Sequence, residues 1–157
     1  MPAKTENSVV IDAPMDLVWR MTNDVASWPS LFDEYAEAEI LDTSPDGTVR
    51  FRLTMFPDED GKVWSWVSQR RADAATRSVR AHRLEPGPFE FMNISWDYRE
   101  TGGGVEMRWV QEFRVRPGLP FDDEAMTAHL NTNTKVQMAR IKKLVEQAAG
   151  RSDGPDR

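Results

Sequence analysis

Apolar and polar positions follow one rhythm before Tyr35 and another after it. From Ser8 to Ile11 the residues are mostly β-branched or strand-compatible, which predicts a strand, and Asp12-Ala13-Pro14 follows as a helix start with Asp12 as its cap and Pro14 in the first turn. Leu17, Val18 and Met21 then recur at helical spacing. Asn23-Asp24 interrupts, and Val25, Trp28, Leu31 and Phe32 resume it around Pro29. The pattern predicts two short helices with a break between them.

Beyond Tyr35 the helical period disappears. Strand-like stretches near residues 36–43, 48–56, 62–72, 77–85, 90–100 and 105–115 are divided by turn formers such as Pro45-Asp46-Gly47, Pro57 to Gly61, Pro86-Gly87-Pro88 and Gly102-Gly103-Gly104. Links this short join neighbours in an antiparallel meander. The glycine run lacks a phosphate-loop pattern and reads as a hairpin turn.

The last stretch is helical again. Met126, Leu130, Ile141, Leu144, Val145 and Ala148 form a stripe, with Asp122, Asp123 and Glu124 at the end where the helix dipole favours anions and Lys142 and Lys143 towards the other. A long amphipathic helix must bury its stripe on the only large sheet available. A curved sheet gripping it leaves a space beneath. His129, Asn133, Thr134 and Gln137 occupy middle turns where a plain core would carry aliphatics, so that part of the helix is expected to face a wet or ligand-filled volume.

The chain has six tryptophans, and two fall in the alternating run Trp64-Ser65-Trp66-Val67-Ser68-Gln69-Arg70. Alternation puts Trp64, Trp66, Ser68 and Arg70 on one face, where an arginine is costly unless a polar space receives it. Aromatic walls with a few convergent polar groups suit a flat organic molecule. Composition narrows the rest. With 157 residues the chain holds one domain, taken as 1–149, with 150–157 as a flexible tail. A net charge of −6 argues against a nucleic-acid surface, the absence of cysteine removes disulfide and thiol chemistry, and two histidines make a metal site improbable. No apolar run reaches the roughly 20 residues needed to span a bilayer and no signal-peptide core is seen, so the chain reads as cytoplasmic, with no cofactor expected.

The order of strand, two short helices, six-strand meander and long C-terminal helix resembles the α+β helix-grip (START/Bet v 1-like) fold, with a curved seven-stranded antiparallel sheet and an interior cavity. Local segments are more specific. Asn7 to Trp19, Asn23 to Leu41 (NDVASWPSLFDEYAEAEIL), Val63 to Arg70 (VWSWVSQR), Val79 to Arg83 (VRAHR), Gly87 to Asn93 (GPFEFMN), Glu106 to Phe113 (EMRWVQEF) and Pro120 to Thr134 are similar to bacterial aromatic polyketide aromatase/cyclases of the tetracenomycin and spore-pigment type. That resemblance implies a poly-β-ketone substrate tethered to the acyl carrier protein of a type II polyketide synthase, with the ketosynthase as a further partner. It implies first-ring C9–C14 aldol closure and aromatisation, with C7–C16 closure as a possible second step. The implied pocket comprises Trp28, Phe32, Tyr35, Trp64, Trp66, Ser68, Arg70, Arg83, Phe89, Met92, Trp96, Trp109, Gln111, His129, Asn133, Thr134 and Gln137. Gln69 departs from the family pattern, but alternation points it away from the Arg70 face.

Aldol closure needs a methylene to lose a proton, a ketone oxygen to gain charge, and then loss of water. Arg70 is a poor base but a good donor to a ketone or enolate oxygen. Tyr35 can pass a proton as a phenol, and Ser68 can orient a carbonyl or water. These are the catalytic candidates. Each has a bland rival: Arg70 as partner of a neighbouring-strand carboxylate, Tyr35 as a satisfied structural residue, the tryptophans as core, and His129 as a structural or substrate-contacting residue. Trp19 reads as packing. A noncatalytic carrier of a hydrophobic ligand, or a scaffold for the synthase, would use the same fold. For docking of an acidic carrier protein, Arg83, Lys135 and Arg140 are the candidate cations.

Overall fold

The computed structural model describes residues 2–153, with the side chains of 151–153 left aside. Strand β1 (Ala3–Ile11) leads into helix α1 (Met15–Asn23), a single 3-10 turn (Val25–Ser27) and the short helix α2 (Trp28–Leu31). The meander follows as β2 (Tyr35–Thr43), β3 (Thr48–Met55), β4 (Ser65–Asp73), β5 (Ser78–Arg83), β6 (Phe89–Thr101) and β7 (Gly104–Val115), and helix α3 (Asp123–Asp153) closes the chain.

All seven strands form one antiparallel sheet in the order β1-β7-β6-β5-β4-β3-β2. Helices α1 and α2 therefore carry the chain from one edge of the sheet to the other. Irregularities after Tyr35, near Ile40 and after Phe89 add local bends, and bulges of this kind increase strand curvature. The fold is the helix-grip arrangement expected from the order of elements.

Several boundaries differ from the sequence reading. Strand β1 begins at Ala3, because pairing with β7 from Ala3↔Phe113 to Ile11↔Val105 overrides the polar composition of residues 4–8. Asp12 does not cap α1: Pro14 holds the N-cap position, and the Asp12 backbone N–H donates to Glu146 Oε2 at 2.8 Å. Trp64 lies one residue before β4. Helix α3 runs past Gly150 to Asp153, where a tail was expected; residues 154–157 of that tail lie outside the described part.

Helix α3 is divided in function along its length. Asp122 accepts the Ala125 N–H at 2.9 Å, a side-chain cap on its first turn. In its C-terminal half Met138, Ile141, Val145 and Ala149 are buried with Ile11, Val18, Val105 and Met107, and each of these side chains other than Ala149 contributes roughly 1.5–3 kcal/mol by leaving water. Lys142 donates to the Val10 carbonyl and to Glu146, pinning the same half to the end of β1. The N-terminal half instead presents Met126, Leu130, Asn133, Thr134 and Gln137 to a cavity. Gly102 and Gly103 form the turn between β6 and β7, since Thr101 pairs with Gly104. Gly104 has φ 129°, and a Cβ there would lie 2.0 Å from the Ile11 carbonyl oxygen, so only glycine fits.

Candidate active site

Between the concave sheet face, α2 and the first half of α3 lies a cavity of about 690 Å³, within the range of small-molecule sites. Register builds its wall. Pairings Leu53↔Trp66, Phe51↔Ser68, Ser68↔Arg83, Arg70↔Ala81, Val79↔Trp96, Ile94↔Gln111 and Trp96↔Trp109 place these side chains on the same side of adjacent strands. Every expected pocket residue borders the cavity: Trp28, Phe32, Tyr35, Trp64, Trp66, Ser68, Arg70, Arg83, Phe89, Met92, Trp96, Trp109, Gln111, His129, Asn133, Thr134 and Gln137. Gln69 faces the other side of the sheet, in a groove with Arg71, Arg80 and His82.

The deep end is an aromatic box around a cation. Trp96 and Trp109 stack with centroids 4.8 Å apart and planes 7° apart, and Trp28 lies 5.8 Å from Trp96. Arg70 is 4 % exposed, and its guanidinium carbon sits 5.3 Å from the Trp28 ring and 5.2 Å from that of Trp96. Its Nη2 donates to Asn23 Oδ1 at 2.9 Å. Among the described residues no carboxylate lies within ion-pairing distance of it, so the salt-bridge reading of Arg70 is set aside. Burial lowers its pKa to about 10, which leaves it charged at neutral pH. Cation–π attraction and one hydrogen bond to a neutral amide replace part of its lost hydration.

Asn23 itself is held by the carbonyl of Trp19, and the adjacent Thr22 hydroxyl meets Tyr98 Oη at 2.7 Å. Tyr98 is also pushed up to about 12 by burial, so it stays a neutral phenol. Trp28 Nε1 donates to the Thr22 carbonyl. Trp19 packs edge-on against Tyr98 at 4.9 Å and takes no part in the cavity wall. Ser68 is buried beside Arg70 on β4.

The outer end is polar in a different way. Tyr35 opens β2 and stacks on Trp28 at 6.2 Å, with Phe32 at 5.1 Å. Burial holds its phenol well above the ordinary value of 10, and neighbouring Glu34 adds to the rise. Arg83 lies 4.0 Å over the Trp66 ring and 5.0 Å from Phe89, with its pKa lowered to about 10 by burial. Glu34 accepts from Asn133 Nδ2 at 2.9 Å, and burial raises its carboxyl above the ordinary 4.5. His129, an exposed rim residue, faces the same carboxylate.

Not every expected binding residue is free to bind. Gln137 is 2 % exposed, and its amide spans Asp33, donating to Oδ1 at 2.6 Å and accepting the backbone N–H at 3.2 Å. Gln111 Oε1 accepts from Thr5 Oγ1 at 3.0 Å. Trp64 is a rim residue, 39 % exposed, whose indole N–H donates to Asp58 Oδ2 at 3.0 Å while Lys62 covers the ring at 3.9 Å. Of the docking cations, Arg83 is inside the cavity and Arg140 is bound to the Ser30 and Leu31 carbonyls. Lys135 alone of the three is exposed on α3.

Residues the sequence reading missed are Phe51, Leu53, Val79 and Ile94 in the wall, Asn23 behind Arg70, and Glu34. Alternation on β3 through Phe51 and Leu53 would have found the first two. Glu34 lies between a helix and a strand, where neither period applies.

Residues 2–146 match the family described as polyketide cyclase / dehydrase and lipid transport, and the chain belongs to that family. It is 53 % identical over 149 residues to a Streptomyces cyaneus protein provisionally described as a polyketide cyclase, covering 95 % of this chain and 97 % of that one. It is 29 % identical over 138 residues to the actinorhodin polyketide synthase bifunctional cyclase/dehydratase of Streptomyces coelicolor, covering 86 % of this chain and 42 % of that protein. The Zhui aromatase/cyclase structure from Streptomyces sp. R1128 shares the fold with a TM-score of 0.78 at 21 % identity, covering 99 % of this chain and 98 % of that one. No helix among the described residues is long and apolar enough to cross a membrane.

Proposed function

We propose that the protein is a polyketide aromatase/cyclase of a type II polyketide synthase. It takes a poly-β-ketone delivered on an acyl carrier protein, working alongside the ketosynthase, and directs first-ring C9–C14 aldol closure with loss of water, with C7–C16 closure following in the same pocket. The observation that carries this reading is Arg70: a buried guanidinium with no carboxylate partner among the described residues, set into an aromatic cavity beside a serine hydroxyl. A carrier for a purely apolar ligand gains nothing from an uncompensated buried cation, whereas a chain bearing a ketone on alternate carbons supplies acceptors for it.

Chemistry follows from the placement. Poly-β-ketones cyclise unaided in several registers, so holding one bend is the enzyme's main contribution. Flat walls from Trp28, Trp66, Trp96 and Trp109 confine the chain and stack the nascent ring. Arg70 anchors a ketone oxygen and stabilises it as charge develops, and Ser68 orients a carbonyl or water nearby. Tyr35, kept as a phenol, protonates the aldol oxygen before it leaves as water.

Reconstitution with a minimal type II synthase tests the proposal. Adding the protein is expected to replace the spread of shunt products with a single ring connectivity, read by mass spectrometry and NMR. A carrier would raise product solubility without altering connectivity.

A further inference from the structure

Enolising a methylene requires a base, and among the described residues none lines the deep end of the cavity around Arg70, Trp96 and Trp109. Arg70 remains protonated, Ser68 is a neutral hydroxyl beside it on β4, and Tyr35 is a phenol whose deprotonation burial opposes. His129 is exposed on the rim. One acidic side chain that borders the cavity combines enclosure with a fixed orientation. Glu34 has its backbone carbonyl bound by the Phe56 N–H at 3.2 Å and its Oε2 bound by Asn133 Nδ2 at 2.9 Å. Asn133 is itself oriented, because Gln137 Nε2 donates to its Oδ1 at 3.4 Å while also holding Asp33. The polar residues of α3 thus form a chain from Asp33 through Gln137 and Asn133 that ends on the Glu34 carboxylate.

Resting on the cyclase reading, we propose that Glu34 is the catalytic base and acid of the closure, with Tyr35 as its proton relay and Asn133 as a positioning residue. The carboxylate removes a proton from a methylene between two ketones. The resulting enolate carbon forms the new C–C bond to a ketone carbon, whose oxygen takes the Tyr35 proton; Glu34, now a carboxylic acid, returns its proton to Tyr35. A second methylene proton then passes to Glu34 as the new hydroxyl departs, and the carboxylic acid protonates it, so that one water leaves and both residues end as they began. Arg83 supplies the positive charge at this end, being electrostatically coupled to both Glu34 and Tyr35.

The groups facing Glu34 are Asp33 on its own segment, Tyr35 on β2, Arg83 on β5, and His129 and Asn133 on α3. Burial and Asp33 push its carboxyl up, while Asn133, Tyr35 and His129 hold it down. A carboxyl raised above 4.5 and held by an amide donor is a stronger base than an ordinary carboxylate, which suits it to moving protons in both directions.

The test is Glu34→Gln in the reconstituted synthase, with the ratio of directed to shunt product measured across pH so that the synthase's own response cancels. Thermal unfolding confirms that the variant is folded. The parent is expected to show an acid limb above the ordinary carboxyl range. Glu34→Gln should lose directed closure by on the order of a hundredfold together with that limb, Glu34→Asp should recover part of it, and Asn133→Ala should move the limb to higher pH by removing a bond to the charged form. A Glu34→Gln protein that keeps either the parent ratio or the acid limb overturns the assignment. A parent protein that leaves ring connectivity unchanged overturns the cyclase reading instead, so the two failures are distinguishable.

Discussion

Arg70 Nη2 donates to Asn23 Oδ1 at 2.9 Å, so the cation at the bottom of the cavity is aimed by a neutral amide and keeps its whole charge for a ligand. An aspartate at position 23 would hold the guanidinium as firmly and neutralise it. Function and stability should therefore separate at this residue. Arg70→Met nearly preserves the volume and removes a desolvated charge, which offsets the loss of one charge-assisted hydrogen bond worth about 1.5–3 kcal/mol. The variant is expected to unfold at or above the parent temperature, yet lose directed closure by on the order of a hundredfold. Calorimetry and product analysis on the same preparation check both halves.

Tyr35→Phe retains the stack on Trp28 and the contact with Phe32 while removing the proton. Cyclisation should slow by at least about tenfold, because the oxygen that gains charge as the C–C bond forms loses its proton donor. Matching rates and products would reduce Tyr35 to part of the wall.

Trp66→Ala opens the cavity and leaves Arg83 without the ring 4.0 Å beneath it. The register of the chain should loosen and shunt products increase. Because Trp66 is half-buried, the destabilisation is expected near the lower end of the range for such truncations, about 3 kcal/mol. Denaturant unfolding separates this cost from the change in products.

Stability against pH carries an independent signature of Glu34. Its folded pKa lies above 4.5, so the fold favours the protonated form; the resulting stabilisation is present below 4.5 and disappears as pH rises through the folded value. Asp58, held down by the Trp64 indole and by backbone N–H groups, has the opposite sign, its contribution vanishing as pH falls through its lowered pKa. Subtracting the Glu34→Gln stability profile from that of the parent should leave a difference that changes only on the Glu34 side. A flat difference from acid to neutral pH would show that the carboxyl is no more buried in the fold than in the unfolded chain.

The architecture was legible because its periods are clean: the turn formers between strands and the apolar stripe around Ile141 and Val145 each have one structural solution. The cavity wall was legible for the same reason, since alternation through Trp66, Ser68 and Arg70 survives in β4. What sequence could not supply was the partner of each polar group. Gln137 looked like a ligand contact until Asp33, 104 residues earlier, claimed its amide. Trp64 seemed to continue the strand, but the Asp58 turn captured its indole at the rim. Arg83 and Arg140 stood as docking cations, Arg83 also as a pocket residue, and long-range packing set Arg83 inwards over Trp66 and bound Arg140 to carbonyls at the end of α2.

The central claim is control of ring connectivity by a charged aromatic cavity, and one measurement reaches it most directly. A minimal synthase is run with no added protein, with the parent protein and with Arg70→Met, and the carbon skeleton of each product is determined by NMR after isotopic labelling. The parent should give one first-ring connectivity, and the folded Arg70→Met protein should return the shunt mixture seen without protein. An identical mixture in all three reactions would contradict the claim and leave a binding protein that does not direct the chemistry.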